Sequence, residues 1–363
     1  MANLILKNLC KSFGDVVAVR NLSLDIRDRE FFVLLGPTGA GKTTTLRCIA
    51  GLEKPETGEI WIGENLVNDW SAANRDVALV FQQYSLYPNY TVRKNLEFPL
   101  KSRLRRLPAK EIGPRVQKAA ETLRIAHLLD RRTDRLSGGE MQRVAIGRAI
   151  VREPRLFLMD EPLSNVDAKL RELLRSELRG LQLKLGATLV FVTHDQVEAM
   201  TMGDRIGVLC DGELIQVGTP YEVYNSPHNT FVASFVGAPT INLFDAAIHG
   251  DKIVVIPQKF ELALQPATRA RLNQIAGRRN SVRVGVRPEH VNLITNGGLA
   301  GTLYGAEDHG AEMILTISVA GHLIRATSPA TTRIPVNAPV QIAFAQDKLH
   351  FFDPETTKNL ALA

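Results

Sequence analysis

Cysteine is scarce in this chain: three of 363 residues, at positions 10, 48 and 210. Cys10, Cys48 and Cys210 are odd in number and far apart, which excludes a disulfide framework and offers no metal-binding pair. Reduced thiols in a reducing compartment are expected. Long apolar runs are missing as well. No stretch approaches the ~20 apolar residues that cross a bilayer, and the opening Met1-Ala-Asn-Leu-Ile-Leu-Lys7 lacks the extended apolar core of a secretion signal. A cytoplasmic protein that reaches a membrane only through a partner is expected. Aromatic residues make up 6% of the chain, and its C-terminal part shows no basic-aromatic ladder on which nucleic acid would stack. The net charge of +6 is local rather than spread: residues 101–135 hold 11 Lys or Arg against 4 Asp or Glu, and the remainder is close to neutral. Ile112, Val116, Ala119, Ala120 and Leu123, then Leu128 and Leu129, give that segment helical spacing. It reads as a solvated basic helix face, with an anionic membrane surface or a partner as the alternative. No nucleic-acid partner is expected.

What the chain does contain is Gly36-Pro37-Thr38-Gly39-Ala40-Gly41-Lys42-Thr43, with Thr44 next, directly after the apolar run Phe31–Leu35. This is the phosphate-binding pattern G-x-x-x-x-G-K-[ST] in the strand-to-helix context it requires. Amide groups of a Gly-rich turn at a helix N-terminus cradle phosphate, because unpaired N–H groups and the helix dipole both favour an anion. Lys42 is expected to reach the outer phosphates of a nucleoside triphosphate and the Thr43 hydroxyl to bind Mg²⁺.

A length of 363 residues predicts two or more domains. Residues 1–235 alternate apolar runs with helical patterns, the signature of an α/β domain with a largely parallel sheet. Phe31–Leu35, Val77–Phe81, Leu156–Met159 and Leu189–Val192 are uninterrupted apolar runs, as strands covered on both faces are. Each is followed by polar groups: the Gly-rich loop, Gln82-Gln83, Asp160-Glu161 and Thr193-His194. Open α/β sheets bind ligands at these strand ends. After Phe235 the texture changes to short runs such as Lys252–Ile256, Val282–Val286, Met313–Val319, His322–Arg325 and Val340–Phe344 between Gly, Pro and Asn turns, with no long helical pattern. Residues 236–363 are expected to form an all-β barrel of the oligonucleotide/oligosaccharide-binding (OB) type.

Leu136-Ser-Gly-Gly-Glu-Met-Gln-Arg143 resembles the signature motif of ATP-binding cassette (ABC) ATPases, and Leu156-Phe-Leu-Met-Asp160-Glu161-Pro162 resembles their Walker B strand. Ser164-Asn-Val-Asp167 is similar to the D-loop, Gln82 to the Q-loop glutamine and His194 to the switch histidine. The resemblance implies an α/β P-loop NTPase with a helical subdomain at about 86–155, hydrolysing ATP. It implies Thr43 and Gln82 as direct Mg²⁺ ligands, with Asp160 holding the ion mainly through water. Glu161 would polarise the attacking water, His194 would contact the γ-phosphate, and Phe13 would stack on adenine. Ser137, Gly138 and Gly139, with Asp167 of the D-loop, would meet nucleotide across a dimer, since in this family the signature acts on the opposite subunit. One loop and one signature per chain then imply a second ATPase subunit, identical or closely related.

The chain resembles the maltose and sn-glycerol-3-phosphate importer branch further, through Val80–Pro88, Ser164–Arg171, Val192–Met200, Phe235–Asn242, Arg287–His290 and His350–Glu355. That resemblance implies a peripheral subunit at the cytoplasmic face of the inner membrane, driving two integral membrane permease subunits. An extracytoplasmic solute-binding protein would act indirectly, and residues 236–363 would be a regulatory domain. Tyr84, Leu86, Tyr87 and Pro88 are expected to dock a helix of the permease. Polyamine, iron and sulfate importers share this architecture and stand as the alternative for the solute. A soluble ABC ATPase of DNA repair or translation is opposed by the single cassette and by the short stretch between loop and signature, which lacks sustained heptads. Glu140 stands where Gln is usual, Val166 where Leu is commoner and Arg29 where relatives often place Gly; Tyr304–Glu312 also departs.

Overall fold

The computed structural model describes residues 1–102, 106–257, 260–277 and 279–362. Arg103 and Arg105 of the basic segment lie outside the described residues. The chain forms two compact units, Met1–Pro220 and Tyr221–Ala363.

In the first unit, Phe31–Leu35 and Leu189–Thr193 are buried at every position, so neither strand has a face that tolerates water. They sit at the centre of a six-stranded sheet ordered Glu213–Gly218, Arg205–Cys210, Phe31–Leu35, Leu189–Thr193, Leu156–Asp160, Val77–Val80. Pairing is parallel except for the hairpin at the Glu213–Gly218 edge. Register aligns Leu35 with Thr193 and Val192 with Asp160. The Gly-rich loop, His194 and Glu161 therefore leave three adjacent strands at the same level. Val77–Val80 stops one residue short of the expected run, and Phe81 turns to the surface.

A second, antiparallel sheet is ordered Val16–Ile26, Leu4–Phe13, Thr57–Ile62, Asn65–Leu66. Leu46, Cys48 and Ile49 of the helix Lys42–Ala50 join Leu4, Leu6 and Ile60 of this sheet and Phe32, Leu34, Leu158 and Val190 of the first in one core. Each such Leu or Ile contributes roughly 1.5–3 kcal/mol on burial, so the loop is anchored by the helix that follows it. The helices Val92–Glu97, Ala109–Thr122 and Gly138–Ile150 form the helical part of this unit. Ala109–Thr122 buries Ile112, Val116, Ala119 and Ala120, as their spacing predicts, and leaves Lys110 and Lys118 exposed.

The second unit holds two five-stranded antiparallel sheets. Phe244, Val255 and Val284 of one pack with Leu315, Ile324 and Phe344 of the other in a shared core. Two features depart from the sequence expectation. An 11-residue helix, Pro266–Ala276, lies in the region expected to lack helix; it buries Thr268, Leu272 and Ala276, and Pro near its start with Gly277 after its end were the available signals. The unit also begins before residue 236. The helices Pro220–Asn225 and Thr230–Phe235 are tied to it, Ala233 packing on Ile241 and Phe352 and the Arg287 guanidinium donating to the carbonyls of Tyr224, Ala233 and Val236.

Candidate active site

The loop after Phe31–Leu35 turns through Gly39 and Gly41 at φ 83° and 94°, the left-handed region that favours glycine. A Cβ at Gly41 would also run into the Ala18 carbonyl, so the strand Val16–Ile26 passes directly beside the loop. Its hairpin partner Phe13, paired with Val16, is 46% exposed with the Lys11 ammonium 4.9 Å from its ring centre. Phe13 thus presents an exposed aromatic ring on the hairpin that carries Ala18.

Lys42 is 4% exposed. Its Nζ donates to the Gly36 and Pro37 carbonyls, each at 2.9 Å, and lies 3.6 Å from Glu161 Oε1. Burial pushes the Lys42 ammonium below the usual lysine range, and Glu161 partly restores it. Thr43 Oγ1 donates to Asp160 Oδ1 at 2.9 Å. Burial raises the Asp160 carboxyl above its ordinary range; the Thr43 hydrogen bond opposes that shift. Glu161, the next residue, has φ 43° without being glycine, a strained conformation of the kind that clusters at functional sites. That turn aims its carboxylate across the strand ends, where Oε2 lies 3.0 Å from His194 Nδ1.

Gln82 is exposed, its side-chain amide donating to Ser164 Oγ at 3.3 Å while its carbonyl accepts from Asn165 Nδ2 at 3.1 Å. The segment after Val77–Val80 is thereby stitched to the one after Leu156–Asp160. Arg148 adds to this by donating to the Tyr84 and Ser85 carbonyls at 3.2 and 2.6 Å. Neither Asn165 nor Arg148 was a sequence candidate. Their signal exists only in the tertiary pairing. Asp167 caps the helix Ala168–Leu185, accepting from the Leu170 amide at 3.0 Å, so its carboxylate already has a structural task.

Ser137, Gly138 and Gly139 open the helix Gly138–Ile150, with the Met141 amide donating to the Ser137 carbonyl at 2.9 Å. Ser137 and Glu140 make a reciprocal capping box at the start of Gly138–Ile150. Glu140 Oε2 accepts from the Ser137 amide at 2.7 Å and from its hydroxyl at 2.9 Å. That backbone hydrogen bond, more than any other group, holds the Glu140 carboxyl below its usual range. Arg29, at φ 62°, takes the left-handed conformation as a non-glycine residue, its amide donating to Thr188 Oγ1 at 2.8 Å and its carbonyl accepting from Gln182 Nε2 at 2.8 Å.

Residues 19–164 match the family model described as ABC transporter, residues 237–291 the MalK OB fold domain and residues 284–352 the TOBE domain. The chain is 46% identical to the trehalose/maltose import ATP-binding protein of Thermococcus litoralis over 99% of each chain. It is 44% identical to the sn-glycerol-3-phosphate import ATP-binding protein of a Ruegeria species, over 99% of this chain and 100% of that one. The chain belongs to the ATP-binding subunits of ABC transporters. A solved ATP-binding cassette, dimeric in a post-hydrolysis state with ADP and Pi, superposes with a TM-score of 0.54 at 34% identity, covering 60% of this chain and 98% of that one.

This cassette is an ATPase whose nucleotide is ATP with Mg²⁺. Its residues fit the ion: a hydroxyl and a half-buried carboxylate are in contact, Thr43 and Asp160. Among the described residues no cluster of three or more His, Cys, Asp or Glu could hold a metal alone. Sites for Mg²⁺ typically combine one or two carboxylates with substrate phosphates.

Proposed function

We propose that this cassette energises the import of a carbohydrate, polyol or sugar-phosphate-like solute, working as a dimer on two permease subunits at the cytoplasmic face of the membrane. Similarity to sugar and glycerol-phosphate import subunits along the whole chain, β domains included, is the observation that carries this reading. A regulatory role for the β unit and a nucleotide-binding role for the unit before it belong to the same proposal.

Phosphoryl transfer to water needs positioning and charge stabilisation more than covalent help from the protein. Loop amides from Gly36 to Thr44 and the Lys42 ammonium bind the phosphates, and Phe13 stacks on the base. Thr43, Gln82 and Asp160 would hold Mg²⁺, which would supply neutralisation of phosphate charge. Glu161 accepts the proton of the attacking water, and His194 steadies the Glu161 carboxylate and the γ-phosphate. Ser137, Gly138 and Gly139 serve nucleotide bound to the second subunit, with Asp167 fixing the D-loop between them. A groove of about 580 Å³ lined by Tyr84, Leu86, Pro88 and Met141 suits a permease helix, and a nucleotide-sensitive crosslink from Ser85→Cys to a permease loop would register it.

Uptake by cells lacking this gene tests the solute class. Loss of a labelled sugar, polyol or glycerol phosphate supports the proposal; loss confined to a polyamine, iron or sulfate sinks it.

A further inference from the structure

The second unit contains a polar cavity of about 300 Å³ with an unusual charge content. Arg271, Arg287, His290, Asp347, Lys348 and His350 line it. Arg287 is 1% exposed. Its Nη1 donates to the Ala233 and Val236 carbonyls at 3.2 and 2.6 Å and its Nη2 to the Tyr224 carbonyl at 2.8 Å, while its Nε is buried with no partner. Arg271 repeats the pattern. Its Nη groups donate to the carbonyls of Gln346, Asp347 and Leu349, and its Nε is likewise buried and unpartnered.

Neutral carbonyls and the rings of Tyr224 and Phe351 solvate these guanidinium groups without neutralising them. Among the described residues neither makes an ion pair with a carboxylate. Glu289 acts on Arg287 at longer range and takes the Tyr224 hydroxyl at 2.6 Å, and Asp347 is paired with Lys348 at 3.6 Å. Buried positive charge without a countercharge is costly, and a buried N–H without an acceptor adds to that cost. The buried Arg287 and the half-buried Arg271 beside it on one cavity constitute a built receptor for an anion, since guanidinium N–H donors match the oxygens of phosphate and carboxylate.

We propose that this cavity binds a small oxyanion, a phosphate group either as free inorganic phosphate or carried on a phosphorylated small molecule. The volume equals that of roughly ten waters, room for a phosphate and several carbons. His350 supports the assignment: burial first, then the positive charge of Arg287 and Arg271, pushes its imidazole down to about 4, and a bound anion reverses that field. Arg287 also holds Tyr224 and Ala233 of the helices Pro220–Asn225 and Thr230–Phe235, and Val236 just after the second. A ligand on Arg287 therefore acts on the group that fixes this connection.

The test follows the His350 ring resonance in the full-length protein by NMR, assigned with His350→Gln and with MgADP held constant throughout, the local His350 ring rather than the Gly-rich loop being the reporter. Inorganic phosphate and glucose 6-phosphate are the probes. The midpoint of His350 is expected to rise by about one unit or more, and Arg271→Gln is expected to lose the response while melting close to the parent. Saturation by inorganic phosphate at equal or lower concentration supports the free ion; at least tenfold tighter response to glucose 6-phosphate supports an organic carrier. No response to either, or an undiminished response in Arg271→Gln, overturns the site and leaves the guanidinium groups solvated by water.

Discussion

Replacing Glu161 by Gln separates nucleotide binding from hydrolysis if the proposed roles hold. The carboxylate lies 3.0 Å from His194 Nδ1 and 3.6 Å from Lys42 Nζ, and glutamine keeps its shape while removing its charge and basicity. General-base catalysis is worth about 10²–10⁴ in rate, which at ~1.36 kcal/mol per decade is roughly 3–5 kcal/mol of transition-state stabilisation. Binding should move the other way. A unit charge pair at 3.6 Å attracts with about 5 kcal/mol at an effective dielectric of ~20, before desolvation is subtracted. Phosphate must displace that attraction to win Lys42, so removing it leaves MgATP affinity equal or up to about tenfold higher. Equilibrium binding of a fluorescent ATP analogue, single-turnover phosphate release and gel filtration with ATP read the three consequences. Expected are retained affinity, release slowed by at least ~10², and an accumulating ATP-bound dimer. Turnover within about threefold of the parent, less than the factor general-base loss predicts, removes Glu161 from the role of base.

Asp160→Asn should raise the melting temperature of the nucleotide-free protein, because burial raises the Asp160 carboxyl and the charged form costs stability above that raised value; the extra stability conferred by MgATP should shrink in the same variant. Acid should weaken the fold between about pH 6.5 and 4 in part through His350, held down to about 4 by burial: the unfolded chain takes up this proton before the native one does, so stability falls with pH there, and thermal melts of His350→Gln should show a shallower loss. Glu140→Gln preserves the cap of Gly138–Ile150 and removes a negative charge beside Ser137, so in sedimentation it should dimerise with ATP at least as tightly as the parent, with stability within about 0.5 kcal/mol; weaker dimerisation opposes the signature's proposed role. A fragment ending at Pro220 keeps the whole first unit and should melt cooperatively and bind MgATP in a thermal-shift assay. One ending at Phe235 retains helices whose Ala233 packs on Ile241 and Phe352, and it should be the less soluble of the two.

The parallel sheet was legible because strands buried on both faces must be apolar at every position, so Phe31–Leu35 and Leu189–Thr193 stand out as unbroken runs. Polar residues directly after such runs mark the ligand-binding edge of an open sheet, and the phosphate-loop glycines carry their own backbone reason. The Glu161–His194 contact was not legible. It joins residues 33 apart and depends on Leu156–Asp160 lying beside Leu189–Thr193, an order that no local pattern encodes. Arg148 was hidden for the same reason, since its partners are backbone carbonyls of Tyr84 and Ser85 and carbonyls carry no sequence identity. Pro266–Ala276 escaped because Arg269, Arg271, Asn273 and Gln274 interrupt its apolar stripe. The helices after Pro220 have ordinary helical patterning, so only their packing assigns them to the second unit.

The polar groups of the site satisfy one another. Lys42 is held by two loop carbonyls and Glu161, Thr43 by Asp160, Glu161 by Lys42 and His194, and Ser137 by Glu140. The Lys42–Glu161 pair joins groups proposed for different tasks in hydrolysis, so phosphate engages Lys42 by exchange of partners. Exchange keeps the buried Lys42 solvated at every stage, which matters because an uncompensated buried charge is costly. It also links the steps: phosphate that draws Lys42 away from Glu161 leaves the carboxylate with His194 as its remaining partner. On the proposed assignment of Lys42 to the phosphates and Glu161 to the water, binding and hydrolysis are coupled through this one contact.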